Sequence, residues 1–360
     1  MNLLVFFLLI TAPMRIYQNT TLPPNGEYHQ PVIIMADNVT LDCNGSAFIG
    51  DKVGVGLLIQ NRKGVTIRNC KFSSWDVGAY VVSGNRFVFE NNDFSDNYLD
   101  DNSNIEHLKP MPHGGMILNG IQNSRVVGNK SNNNVTGIQI LNSSRIRVER
   151  NTTSRDRGWG ILLYSTTASQ VFSNTVEYCN RSCPEWGQDA GCGAAGIVLT
   201  MQSDRNQIGW NTLTADGDGI YQGNLPETAS NDNEMMYNTI SNSIANGIEA
   251  TFSSGNHIHH NTFNNDNYGA WLGYAQNVQF EYNTVKGARA EIADPENPEK
   301  RFHVGVQSDN AKNHRYVGNT FDGNDLLLQP VQGGTCEGNS LDKNTNNFLN
   351  GAKSHMPGCK

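Results

Sequence analysis

Gly160-Ile-Leu-Leu-Tyr-Ser-Thr-Thr-Ala-Ser-Gln-Val-Phe-Ser-Asn-Thr-Val176 and Gly247-Ile-Glu-Ala-Thr-Phe-Ser-Ser-Gly-Asn-His-Ile-His-His-Asn-Thr-Phe263 are two copies of one pattern. A glycine opens a short apolar alternation and a polar turn follows. An apolar residue then stands three places before an asparagine, and another stands two places after it. The same opening recurs at Gly56-Leu-Leu-Ile59, Gly137-Ile-Gln-Ile140 and Gly269-Ala-Trp-Leu272. Each quartet ends 11 positions before its ladder residue (59 to 70, 140 to 151, 163 to 174, 250 to 261, 272 to 283). The ladder reads Asn44, Asn92, Asn129, Asn151, Asn174, Asn211, Asn238, Asn261, Asn283, Asn319 and Asn339, with Cys70 as the rung between Asn44 and Asn92.

The shortest steps are 20 to 23 residues, built of period-2 alternation with no helical period. That is the signature of a solenoid of β-coils. Alternation sends apolar side chains inward. Stacked asparagines can then hydrogen-bond along the axis, at a turn whose backbone would otherwise be unsatisfied. The expected fold is all-β: a single-stranded right-handed parallel β-helix of about twelve coils. It forms one domain over residues 13–360, with the tail after Asn339 as its C-terminal cap.

The 360 residues are 37% hydrophobic and 17% charged, with 36 glycines. A solenoid grows in one dimension, so this length needs no second core. The net charge of −8 excludes the basic stripe of a nucleic-acid binder. The apolar run Leu3–Ile10 resembles the core of a secretory signal over residues 1–12; it is too short to cross a membrane. Seven cysteines fall into local groups: Cys43 with Cys70, then Cys179, Cys183 and Cys192, then Cys336 and Cys359. Such grouping reads as short-range disulfides in a secreted or periplasmic protein, with one thiol left over. Zinc on the middle group is disfavoured, because no histidine lies in that insertion. A monomer is expected.

Function in a solenoid gathers where a coil breaks rhythm. Insertions at 95–114, 177–195 and 286–302 precede the Gly-led strand of their coil, and one at 223–231 follows it. All four border one sheet, which is expected to form a groove. Alternation gives its floor as Ile117, Gln139, Leu162, Val198, Tyr221, Glu249, Trp271 and Leu327. A second outward row runs Asn119, Leu141, Tyr164, Thr200, Gly223, Thr251, Gly273 and Gln307. Trp159, Asp218, Asn246 and Tyr268 stand at the loop edge, with Arg157 and Asp216 further out. Rings that stack on pyranose faces, beside groups that bind hydroxyls, suit a polysaccharide partner.

The Gly-Ile-x-Leu and Val-x-x-Asn-Thr-Phe coils resemble the pectin-lyase-like superfamily over residues 38 to 345. The likeness is to its parallel β-helix repeat group of polysaccharide lyases, alginate lyase-like and mannuronan epimerase-like proteins and nitrous-oxide-reductase accessory proteins. The resemblance implies the fold and a ligand groove along this sheet; it does not specify an activity.

Two chemistries compete on the groove. β-Elimination from a uronic-acid polymer, or epimerisation by the same proton abstraction, needs a group that neutralises the carboxylate and a base for the C5 proton. Arg157 and Tyr221 are the candidates, with Trp159, Tyr164, Asn246, Tyr268, Trp271, Lys109 and His113 as substrate contacts and His107 in the same insertion as His113. A calcium ion on Asp216 and Asp218 is the one cofactor considered. Glycoside hydrolysis needs two carboxyl groups. Asp216-Gly217-Asp218 enters one strand and Glu249 projects from the next coil, so Asp218 and Glu249 are expected near the separation of an inverting pair. The Asp-Gly-Ile stretch resembles polygalacturonase-type hydrolases, whose paired-Asp and Gly-His-Gly motifs are absent here. A lyase is the favoured reading, ahead of a hydrolase and a non-catalytic sugar-binding or accessory solenoid. Alternation is expected to turn His257, His259 and His260 away from one common point, so no metal centre is expected there.

Overall fold

The computed structural model describes residues 12–98, 110–181, 191, 193–223, 225–293, 299, 301–329 and 340–342. The leader-like residues 1–11, His107, Lys109, Cys183, Cys192, Cys336, Cys359 and Asn339 lie outside them.

Each coil runs through three short strands. Around Trp159 these are Trp159–Tyr164, Gln170–Phe172 and Thr175–Glu177. Each pairs in parallel with its counterpart one coil on: Ile161 with Ile197, Val171 with Ile208, Val176 with Leu213. The chain is thus a right-handed parallel β-helix, the hand that parallel crossovers adopt. Ile161, Leu163, Val171 and Val176 point inward and are fully buried. Like stacks on like: Tyr28, Phe48, Phe72 and Phe94 follow one another at ring separations of 5.1, 4.9 and 5.6 Å, close to the ~4.8 Å between parallel strands. The Gly-led glycines are demanded by close approach. A Cβ on Gly219 would stand 2.5 Å from Ile240 Cγ2 and 2.6 Å from the Gly247 carbonyl.

The ladder runs from Asn92 to Asn319 without a gap. The Nδ2 of Asn151 donates to Asn174 Oδ1 at 3.0 Å and to the Val126 carbonyl at 2.9 Å, and its backbone N–H donates to the same Asn174 oxygen at 2.9 Å. The residue before each rung is the corner of the coil and sits in the left-handed region. Arg150, Ser173, Trp210, Tyr237, His260 and Tyr282 have φ between 53° and 56°, a conformation costing a non-glycine residue roughly 1–2 kcal/mol. The ladder amides offset that cost.

Asn44 is not a rung. It is exposed with φ 49°, followed by Gly45 at φ 82°. Two left-handed residues make this corner longer and move the rung to the fully buried Ser46, which stacks on Cys70, accepts from Gly26 N at 2.9 Å and donates to the Pro23 carbonyl at 2.7 Å; Cys43, two residues after Leu41, is buried as well. Cys43 is disulfide-bonded to Cys70, which stands in the ladder and donates its N–H to Asn92 Oδ1.

The groove floor is less open than alternation suggests. Ile117, Leu162 and Val198 point outward yet are buried, in a second apolar cluster with Met111, Val135, Trp159 and Ala195. Gln139 pins the return of the first insertion: its Nε2 donates to the carbonyls of Met111 and His113 at 2.9 and 3.1 Å, and its Oε1 accepts from Met111 N at 3.0 Å. Nearer the C-terminus, Glu291–Ala293 pairs antiparallel with Arg301–Asp309. Among the described residues no helix is long and apolar enough to cross a membrane.

Replacing Asn174 with Ala removes the acceptor of two Asn151 hydrogen bonds and leaves the Val148 carbonyl without its partner. The expected loss is about 3 kcal/mol of unfolding free energy, each buried group left unsatisfied costing ~1–3 kcal/mol. Denaturant unfolding measures it; a loss under about 0.5 kcal/mol would contradict the ladder's role.

Candidate active site

A pocket of about 250 Å³ lies on the outer face of the Gly-led sheet, lined by Trp159, Gly193, Ala194, Ala195, Asp218, Tyr221, Glu249 and Trp271. Strand pairing builds it from successive coils. Ala195 sits beside Asp218, Tyr221 beside Glu249, and Glu249 beside Trp271. The segment Gly193–Ala195 ends the second insertion and forms one wall. Trp159 ties that wall down by donating Nε1–H to the Gly193 carbonyl at 3.0 Å. Tyr221 and Trp271 lie over the glycine two residues further on. A Cβ on Gly223 would meet the Tyr221 hydroxyl at 2.7 Å, and one on Gly273 would meet Trp271 Nε1 at 2.7 Å. The two outward glycines thus make room for the aromatic walls.

One amide joins the two acids. Asn246 Nδ2 donates to Asp218 Oδ1 at 2.9 Å and to Glu249 Oε2 at 3.0 Å, while the Asn246 backbone N–H donates to Asp218 Oδ1 at 2.9 Å. Thr251 Oγ1 donates to Glu249 Oε1 at 3.4 Å. Burial pushes the Asp218 carboxyl up to about 6, with the Asn246 hydrogen bonds pulling the other way. Burial, reinforced by the charge of Asp218, pushes Glu249 up to about 8. Burial and the two acids also raise the Tyr221 phenol. Glu249 thus holds a proton more tightly than Asp218 does.

The structure brings together Asp218, Tyr221, Glu249, Asn246, Trp159 and Trp271 of the expected set. Tyr268 is half-buried beside Asn246 in register. Trp159 is 2% exposed, a wall under the insertion rather than an open stacking platform. Tyr164 packs half-buried on the second apolar cluster. Arg157 does not line the pocket, and no described lining residue is cationic. Arg157 precedes Trp159, whose strand lies two coils before that of Asp218. His113 holds Asp76 at 2.6 Å and stacks on Tyr98 at 4.2 Å. Its strand lies four coil steps from that of Asp218, through Met116, Ile138, Ile161, Ile197 and Ile220, roughly 19 Å. The glycine and alanines of the insertion wall carry no sequence signal.

Asp216 is a correction. It is fully buried inside the coil, where its Oδ1 accepts from Cys179 N at 2.7 Å. It belongs to an inner column five residues beyond the asparagine ladder: Asn97, Asn134, Asp156, Cys179, Asp216, Ser243, Asp266, Ala288 and Asn324. The chain turns its corner at Gly217, so Asp216 faces the interior and Asp218 the pocket, and the two do not form a shared calcium site. Burial holds Asp156 and Asp216 well above the usual carboxylate range, which favours their uncharged form. The Cys179 thiol is unbridged, buried and likewise raised.

The histidine run also departs from expectation. Residues two apart on a strand share a face. His257 and His259 therefore both point outward, stacked at 4.1 Å, while Ile258 is buried.

A family described as right handed beta helix region matches residues 33–213 and 190–349. The chain belongs to that family. No curated protein sequence matches it. Among solved structures, this β-helix is similar to the A-module of mannuronan C-5 epimerase AlgE4 from Azotobacter vinelandii, at 14% identity and TM-score 0.54 over 95% of this chain and 91% of that one. It is similar to the periplasmic alginate epimerase AlgG at 12% identity and TM-score 0.59, over 90% and 79% of the two chains. It also resembles the catalytic unit of a GH87 α-1,3-glucanase from Streptomyces thermodiastaticus at 18% identity and TM-score 0.59, over 94% of this chain and 62% of that one. At these identities the likeness is one of fold.

The inner acids carry a pH signature. Their folded-state affinity for protons exceeds that of the unfolded chain, so the stability they contribute is present at acid pH and lost as pH rises above the ordinary Asp range. Asp216→Asn keeps the acceptor and supplies a neutral donor, as Asn97, Asn134 and Asn324 do in the same column. Its melting temperature should exceed that of the parent at pH 8 and converge with it near pH 4, read by scanning calorimetry. A constant difference across that range would disprove the neutral-acid reading.

Proposed function

We propose that this β-helix is an exported enzyme that cleaves a polysaccharide by hydrolysis, with Asp218 and Glu249 as its carboxyl pair. The reading rests on one observation: a single amide nitrogen bonds both acids; burial raises both carboxyls, and the charge of Asp218 raises Glu249 further. The two bonded oxygens are therefore less than about 6 Å apart, below the ~6.5–9.5 Å of inverting glycosidases and consistent with the ~5–5.5 Å of retaining ones. The geometry thus argues against the inverting pair expected from spacing.

In this mechanism Glu249 donates its proton to the leaving glycosidic oxygen while Asp218 attacks the anomeric carbon. Water then hydrolyses the glycosyl-Asp218 intermediate, with Glu249, now ionised, taking the water proton. Asn246 positions both groups and holds the Asp218 charge. Tyr221 and Trp271 give the sugar ring an aromatic seat. The Cys43–Cys70 disulfide and the leader-like start support export to an oxidising compartment.

β-Elimination or epimerisation of a uronate is the second reading. Two structurally similar proteins are named as mannuronan or alginate epimerases, and Tyr221 stands in the pocket where a proton-abstracting phenol is needed. Against it, the described pocket wall carries no cation to receive a uronate carboxylate, and the raised Tyr221 phenol is a poor base.

A panel of neutral and acidic polysaccharides decides between these readings. New reducing ends without the ultraviolet absorbance of an unsaturated uronate are expected; that absorbance, or C5 inversion without cleavage, overturns hydrolysis in favour of the second reading. Glu249→Gln and Asp218→Asn should each lower kcat by roughly 10³-fold or more while substrate still binds. Binding without turnover by the parent chain would leave a sugar-binding solenoid. Tyr221→Phe should keep most hydrolytic activity but would abolish elimination.

The pH profile of kcat/KM should be bell-shaped, with limbs near 6 and 8 that belong to the Asp218–Glu249 pair. Asn246→Ala removes the side-chain hydrogen bond that helps hold the Asp218 proton affinity down and keeps the backbone one, so the acid limb should move modestly to higher pH. An unmoved limb would assign it to another group.

A further inference from the structure

We infer that a second site, on the outer face of the neighbouring sheet, binds a divalent metal ion of the zinc class through Glu234, His257 and His259. Glu234 belongs to strand Glu234–Met236 and the histidines to His257–His259, one coil on, with Glu234 beside His257 in register. One ligand atom from each of the three lies within 4.8 Å of the others. Zinc bonds of ~2.0–2.1 Å set ligand atoms roughly 3.3 Å apart. Small side-chain rotations on an outer sheet face close the remaining gap without moving backbone.

The atoms are arranged for coordination. Glu234 reaches diagonally past His257, its lateral neighbour, to place Oε1 3.1 Å from His259 Nε2. Its other oxygen accepts from Gln207 Nε2 at 2.8 Å, and Gln207 Oε1 accepts in turn from Gln170 Nε2 at 2.9 Å, an outer chain that fixes the carboxylate plane. His260 Nδ1 stands 2.9 Å from His259 Nδ1. With the His259 proton on Nδ1 and donated to His260, Nε2 presents its lone pair to an ion. His257 Nε2 is the second observation. It is buried with no hydrogen-bond partner among the described residues, an orphan that an ion would satisfy. Glu281, from the following coil and ion-paired with Arg315, holds its Oε2 3.5 Å from that nitrogen. It is placed as a fourth ligand or as the acceptor for a bound water.

Two imidazoles and a carboxylate suit zinc and its neighbours and do not suit calcium, which takes oxygen ligands. Such an ion would clamp the coils of Glu234 and His257, and through Glu281 a third coil. None of these residues lines the Asp218 pocket, so the site is independent of the proposed hydrolysis, and either can fail alone.

The test uses the full chain freed of metal with a chelator and titrated with Co²⁺. Expected are visible d–d bands saturating at one Co²⁺ per chain, their displacement by Zn²⁺, and a rise in melting temperature with Zn²⁺ through binding to the folded state. His257→Asn, His259→Asn and Glu234→Gln should each weaken the bands' apparent affinity at least roughly tenfold, the order of loss found on disturbing a metal site. Their metal-free melting temperatures should stay near that of the parent, since all three side chains lie on the outer face. Absence of bands with the parent chain at millimolar Co²⁺ overturns the proposal whatever the variants do. So does titration of all three folded variants with unchanged affinity.

Discussion

The structure depends on one repeated contact, the asparagine side chain that accepts two N–H groups from the preceding rung and donates its own to the next rung and to a carbonyl of the preceding coil. At each corner the backbone passes through a left-handed residue and loses strand pairing, and the ladder amide replaces what is lost. The contact depends little on how much chain separates its partners. Asn129 to Asn151 and Asn174 to Asn211 make it at 3.0 and 2.9 Å although 22 residues separate one pair and 37 the other. The coil is therefore fixed at its corner and free to carry insertions of any length between strands. That freedom lets the β-helix build a pocket without disturbing its core.

Two kinds of buried carboxyl group result, and their contrast clarifies the site. Asp156 and Asp216 face inward, receive one backbone hydrogen bond each from Asn134 and Cys179, and hold an oxygen without a partner. Low dielectric surroundings raise their proton affinity and favour the neutral form. Asp218 and Glu249 face outward into a cavity and share a donor, and the charge of Asp218 raises the cost of ionising Glu249. A shared, strained proton balance in a cleft is the pattern of reactive acids. Asp216 and Asp218 are two residues apart; the corner at Gly217 alone separates an interior strut from a pocket acid.

The coils were legible because their cause is periodic. Inward Ile, Leu, Val and Phe at fixed offsets from Asn leave few other folds that bury them, and Asp218, Tyr221, Glu249 and Trp271 followed from the same register. Asn44 is off the ladder because an extra left-handed residue moves the rung of that coil to Ser46. Ile117, Leu162 and Val198 were read as open floor because alternation reports direction and not cover. Trp159 was read as a platform for the same reason. His257 and His259 share the outer face because residues two apart on a strand do, and only His260, at the corner, leaves it.

Sequence alone determined the repeat, the inward and outward sets, the sheet that borders the insertions, and the adjacency of Asp218 and Glu249 on successive coils. These follow from local alternation and a constant spacing, which the chain carries in its own order. Tertiary structure decided that Asn246 joins the two acids, that Gly193–Ala195 walls the pocket, that Arg157 and His113 stand apart from it, and that Glu234 and Glu281 bracket the histidines from flanking coils. Each of these depends on cover, hydrogen-bond geometry and local dielectric. Those are supplied by segments that do not repeat, and no period in the sequence encodes where they pack.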